Sequence, residues 1–166
     1  DMAILRANNN TLSSVTALPF TTGKVLQIQQ VTKLDIISTT TTSFHDITGL
    51  SLDITPASSS SKFLCFFNVT LGNSATSNDC LNLMRDSTNI FVNSGTSVVS
   101  TIFAGYNSTG KAVTSNVIFL DAPSTSSQIT YKVQWKSQTG TLYLNRRGSD
   151  TAHGAPSSLC VMEISS

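Results

Sequence analysis

At 166 residues and 17.7 kDa, the chain is long enough for one domain to bury a core without disulfides or a metal, and a formal net charge of +1 gives no reason to expect nucleic acid or an anionic membrane as partner. Charged residues are 11% of the chain against a usual ~25%, Glu163 is the single Glu, and Ser and Thr far outnumber the charged types. Helix surfaces draw on Glu, Lys, Arg, Gln and Ala, whereas Thr and other β-branched residues suit a pleated surface, so the composition predicts an all-β fold.

Residues 1–23 form a polar arm without sustained periodicity. Met2-Ala3 reads as a natural start, with Asp1 left over ahead of it. Leu12, Val15 and Leu18 are spaced three apart, can line one side of a short helical turn, and are candidates for an oligomer contact. With so few apolar residues the arm has no core of its own, so it is expected to lie on the domain, on a partner subunit, or in solution.

Residues 24–166 read as strand after strand. Lys24 to Val31 and Leu34 to Ser38 come first, and the polar β-branched tract Thr39 to Ser43 suits an edge. Phe44 to Ile47 follows, and Leu50 to Ile54 alternates until Thr55-Pro56 ends it, because Pro has no N–H for a ladder. Beyond the small polar linker Ala57 to Ser61, Lys62 to Leu71 places Phe63, Cys65, Phe67, Val69 and Leu71 on one face, yet Leu64 and Phe66 make the other face apolar too. A strand apolar on both sides is covered on both sides, which makes Leu64 and Phe66 candidates for an oligomer contact. Leu81 to Arg85, Asn89 to Val92, Val98 to Ala104, Val113 to Leu120 and Leu159 to Ile164 complete the series.

Between the last two of these lies Gln128 to Arg146. Ile129, Tyr131, Val133 and Trp135 alternate with Thr130, Lys132, Gln134 and Lys136, the pattern of a half-buried strand. Ser137 to Gly140 reads as a turn into a returning strand, Thr141 to Asn145, and this hairpin with the only Trp is expected to anchor the core. About ten to twelve short strands at turn spacings of ~8–12 residues predict a jelly-roll-like antiparallel β-sandwich with a short N-terminal arm.

Catalytic and metal motifs are not evident. Gly105 to Lys111 matches a phosphate-cradling G-x-x-x-x-G-K, but Ala112 stands where a Mg²⁺-binding hydroxyl is needed and strand, not helix, follows, so a β-hairpin loop explains these residues. His45 and Asp46 are neighbours in an extended segment and point to opposite faces. Cys65, Cys80 and Cys160 lack metal or disulfide spacing and read as buried free thiols. Asp35, Asp46, Asp53, Asp79, Asp86, Asp121, Asp150 and Glu163 are scattered and read as solvated loop or turn residues. The sequons at Asn9, Asn68 and Asn107 are chance matches in a chain rich in Asn, Ser and Thr. No apolar run approaches the ~18 residues of a membrane span, so no membrane insertion is expected. Neither an enzymatic activity nor a cofactor is expected. Recognition is placed instead on loops held by a scaffold: Tyr106 and Asn107 in one, Arg146, Arg147, Asp150 and His153 in the long segment Arg146 to Pro156.

Several stretches, in order along the chain, resemble a known group of proteins. They are Leu5 to Pro19 running into Thr22 to Gln27, Asp46 to Pro56, Ser61 to Leu64, Thr130 to Gln134, and Val161 to Ile164. Together they resemble small virion structural proteins of marine tailed bacteriophages, of the tail-fibre or head-fibre-like kind. The resemblance implies a β-rich, non-enzymatic protein of the virion, often a homotrimer, with the arm joining other virion proteins and the loops touching a host surface glycan or protein. A capsid decoration protein and a lectin-like carbohydrate-binding module remain alternatives.

Overall fold

The alternation of Ile129, Tyr131, Val133 and Trp135 is realised as expected: all four are buried, and Trp135 and Tyr131 are the largest fully buried side chains. In the computed structural model, which describes residues 23–93, 95, 100–106 and 108–166, eleven strands follow in order. They are β1 (Val25–Lys33), β2 (Ser38–Thr39), β3 (His45–Ile54), β4 (Lys62–Asn73), β5 (Ser77–Arg85), β6 (Thr88–Asn89), β7 (Ile102–Tyr106), β8 (Val113–Asp121), β9 (Ile129–Lys136), β10 (Leu142–Leu144) and β11 (Ser157–Ile164). Leu12, Val15, Leu18 and Asn107 lie outside the described residues.

The strands form two antiparallel sheets. In the first, Leu71 of β4 pairs Leu144 on one edge and Val113 on the other, so β11 and then β10 run along one side of β4 and β8 along the opposite side. The second has β9 and β7 on opposite edges of β5, since Cys80 pairs both Lys136 and Phe103. The principal orders are therefore β1-β11-β4-β8 and β3-β9-β5-β7, with β10, β2 and β6 as short additions. Eight main strands in these orders make a jelly roll.

Inward residues of both sheets build one core, from Phe63, Cys65, Phe67, Val69 and Leu71 on β4 to Leu81 and Leu83 on β5 and Leu159 and Val161 on β11. Phe63 meets Tyr131 across the layers at 5.8 Å between ring centroids. A polar tie crosses the same gap. Tyr131 Oη donates to Asp121 Oδ2 at 2.7 Å, and Arg85 Nη1 donates to both oxygens of Asp121. Burial pushes the Tyr131 hydroxyl well above its ordinary range, and the bond to Asp121 adds to this.

Four expectations are corrected. First, β10 is not the returning arm of a hairpin with β9: it joins the other sheet, where Leu142 opposes Asn73 and Thr39. A period of two reports which face a residue takes, not which strand lies beside it. Second, Gly105 to Lys111 is not a hairpin loop, because β7 and β8 belong to different sheets. Third, Phe44 to Ile47 and Leu50 to Ile54 are largely one strand, β3, whose pairing with β9 shifts register between Asp46 and Ser51. Fourth, Asp79, Asp121 and Glu163 are buried strand residues, not solvated loop groups. Each carboxylate finds donors inside, which is the condition for burying a charge. Glu163 accepts from Gln27 Nε2 at 2.6 Å and the Ala57 amide at 2.7 Å. Cys160 departs in part from the thiol reading, being only half-buried while Cys65 and Cys80 are buried.

Candidate functional site

A jelly roll crosses between its sheets at both ends, and the candidate recognition residues gather at one of them. The crossings β4–β5, β7–β8 and β9–β10 meet there, joined by the long loop from Arg146 to Pro156. Gly72 and Gly148 make this possible: a Cβ on Gly148 would overlap the carbonyls of Asn73 and Thr109, and one on Gly72 would meet Arg146, Arg147 and Gly148 backbone atoms. Only Gly fits such backbone-on-backbone contact.

Beneath the loops sits a buried polar network. Asn73 Nδ2 donates to Asp79 Oδ2 at 2.7 Å and to the Thr139 carbonyl at 3.0 Å, while Ser77 Oγ and the Gln138 amide donate to Asp79 Oδ1. Asn145 pins the base of the long loop. It takes φ +63°, donates from Nδ2 to the Lys33 and Asp35 carbonyls at 2.8 Å each, and accepts from Ser157 Oγ at 2.6 Å. Neither Asn73 nor Asn145 stood out in the sequence. For Asn145 the available signal was an Asn directly after an alternating strand, since Asn tolerates the left-handed region better than most residues.

The two arginines of the long loop build that loop. Arg146 donates to the Arg147 and Gly148 carbonyls and lies 4.0 Å over the Tyr143 ring, a cation–π contact. Arg147 forks onto Asp150 with bonds of 2.7 and 2.6 Å. This guanidinium, helped by the Ala152 amide, holds the Asp150 carboxyl far below its ordinary range. His153 is exposed, with its carbonyl accepting from the Arg147 amide and Nδ1 2.7 Å from the Ala152 carbonyl. Tyr106 ends β7, its backbone opposite Ser77. Arg146, Arg147, Asp150 and His153 are thus brought together, and the surface they carry is built of small residues: Ser149 and Thr151, which are polar, and Ala152, Gly154, Ala155 and Pro156, which are not, are all exposed.

A second surface is the outer face of the first sheet. Ile28, Met162, Leu64 and Leu120 stand side by side as one cross-strand row on β1, β11, β4 and β8. The next row is Gln30, Cys160, Phe66 and Ile118, and Val25 opposite Ile164 flanks the first on its other side. Ile118 is 67% exposed and Ile28 57%. A polar row, Thr32, Ser158, Asn68 and Asn116, closes the patch. Leu64 and Phe66 therefore sit within an apolar surface bordered by that polar row on one side and, on the other, by the exposed Lys62 opposite Ile164. The outer face of the second sheet is the opposite: Asp46 accepts from Lys132 Nζ and Gln134 Nε2 at 2.8 Å each, Thr130 donates to Asp53, and Lys136 lies over Phe44. Asp46 loses some solvation, but these bonds outweigh that and hold its carboxyl below its ordinary range. Among the described residues, no group of three or more His, Cys, Asp or Glu is placed to hold a metal ion.

No protein-family model and no curated protein matches the chain. Among solved structures, it is similar to a chain in the structure of infectious bursal disease virus, Gx strain, with a TM-score of 0.39 and 13% sequence identity. That match covers 84% of this chain, which spans 37% of the other.

Proposed function

We propose that this chain is a non-enzymatic structural protein of a virion: the head of a homotrimeric fibre or appendage of a tailed bacteriophage, with its loop end turned to the host cell surface. The observation that carries the assembly part is the apolar outer face of the first sheet. The largest contiguous apolar patch on a monomer is commonly about 300–600 Å² and often functional, so a face of this kind is a candidate interaction surface. Fully covering a side chain such as Ile118 or Ile28 is worth roughly 1.5–3 kcal/mol. The tailed-phage setting comes from the sequence resemblance. The jelly roll suits it without deciding it, since the same architecture serves viral capsid and lectin domains.

The host-contact role rests on the loop cluster, a set of self-bonded segments on a rigid scaffold, which is where binding surfaces commonly sit. Their small polar residues suit hydrogen bonding to a glycan or an exposed peptide. The test is adsorption. Purified full-length protein should compete with phage for host cells, and replacing the segment Ser149 to Ala155 by an unrelated loop of equal length should abolish competition without changing oligomer mass. Binding to particles over the whole capsid with no cell adsorption would favour a decoration protein. Saccharide binding by isolated monomers would favour a lectin-like module.

A further inference from the structure

The size of the apolar face limits what can cover it. Four strands at ~4.8 Å and three rows at ~6.8 Å give roughly 300–400 Å² in plan. A standard interface takes ~800 Å² from each partner, so flat contact between two such faces falls well short. A further element is needed, and one starts at the rim. The Gly23 amide donates to the Ser165 carbonyl at 3.1 Å, and Lys24 and Ser165 bond each other through Lys24 N to Ser165 Oγ and Ser165 N to Lys24 O. The chain before Gly23 therefore departs beside the Val25–Ile164 pair, at the edge of the patch.

We propose that residues 1–22 lie across the apolar outer face of the first sheet and are its cover. Twenty-two residues reach up to ~70 Å when extended, several times the ~15 Å between the outermost strands. Their chemistry matches: residues 7–22 carry no charge and include Leu12, Val15, Leu18 and Phe20. An uncharged, apolar-studded segment without a core of its own meets an apolar face without a cover, bordered at the rim by Lys62. The inference deepens the assembly reading, because an arm laid on a neighbouring copy supplies the contact that flat faces lack.

A native probe sits in the patch. Cys160 is half-buried in the second apolar row, while Cys65 is fully buried in the core and reports intactness of the fold. Alkylation by iodoacetamide should be slow at Cys160 in the full chain. In the full-length variant Leu12→Asp/Val15→Asp/Leu18→Asp/Phe20→Asp it should accelerate about tenfold or more, as expected when local protection is lost, with Cys65 still unreactive. Equal rates at Cys160 in both proteins, fast or slow, would overturn the proposal. Light-scattering mass on the same samples tests the assembly reading separately. Protection lost in a chain that is monomeric throughout supports the arm as cover and overturns the trimer. Protection unchanged with trimer mass retained overturns the arm and keeps the trimer.

Discussion

The two outer faces of this sandwich share one core and one antiparallel architecture, yet they are finished differently. On the second sheet, the outward residues of β9 are Thr130, Lys132, Gln134 and Lys136, and the first three bond to Asp53 or Asp46 on the neighbouring β3. On the first sheet, the outward residues of β4 and its neighbours include Leu64, Phe66, Ile118, Leu120 and Met162, side chains with no such bonds to make. A face built to stay wet satisfies itself with polar pairs. The face that does not is the one to look to for assembly.

The largest expected effect comes from putting charge on the apolar face. Phe66→Asp with Ile118→Asp should reduce a trimer to monomers by size-exclusion chromatography with light scattering, because two carboxylates would have to be buried in the contact. The matching change on the wet face, Lys132→Gln with Gln134→Ala, should leave the mass unchanged. Trimers in the first case or monomers in the second would break the contrast.

Next in size is Asn145→Ala, which removes three hydrogen bonds under the long loop, two of them fully buried. We expect a loss of about 1–3 kcal/mol in chemical denaturation, the cost of leaving buried groups unpaired. Faster hydrogen exchange should appear at the Arg147 and Ala152 amides, with the mass unchanged. Such a result separates the loop end from the assembly face.

Acid should act through Glu163. Burial alone would raise its pKa, but the Gln27 and Ala57 donors hold it below the ordinary value. A carboxyl depressed in the folded state contributes stability that is fully present above its unfolded pKa of ~4.3 and lost as pH falls through the folded value. Glu163→Gln should therefore flatten this part of the acid limb of the stability profile, leaving other carboxyls, such as Asp46, to shape the rest. The smallest effect is expected for Asp46→Asn on the wet face. Its partner pair is half in solvent, so about 0–1 kcal/mol should be lost, and less at high salt.

Much of the fold was legible because alternation reports burial directly. β9 and most of β4 place apolar residues inward every second position, β8 and β11 do so apart from Ser115, Asp121, Ser157 and Glu163, and Leu64 and Phe66 announced a second apolar face within β4 alone. What alternation cannot report is neighbourhood. That Ile28, Met162, Leu64 and Leu120 form one row depends on three registers between strands far apart in sequence. For the same reason β10 was joined to the wrong strand. The buried carboxylates were hidden because their donors are distant: Arg85 and Tyr131 for Asp121, Gln27 and Ala57 for Glu163. At the loop end the long segment was visible as a break in periodicity. That Arg147 and Asp150, three residues apart, would bond each other was not, since spacing in a loop fixes no geometry.

On the proposed reading, the apolar face belongs to a protein that works in more than one copy. Sedimentation equilibrium of the unmodified full chain at micromolar concentration tests it most directly. A species of three times 17.7 kDa is expected, and a stable monomer throughout that range would overturn the trimer.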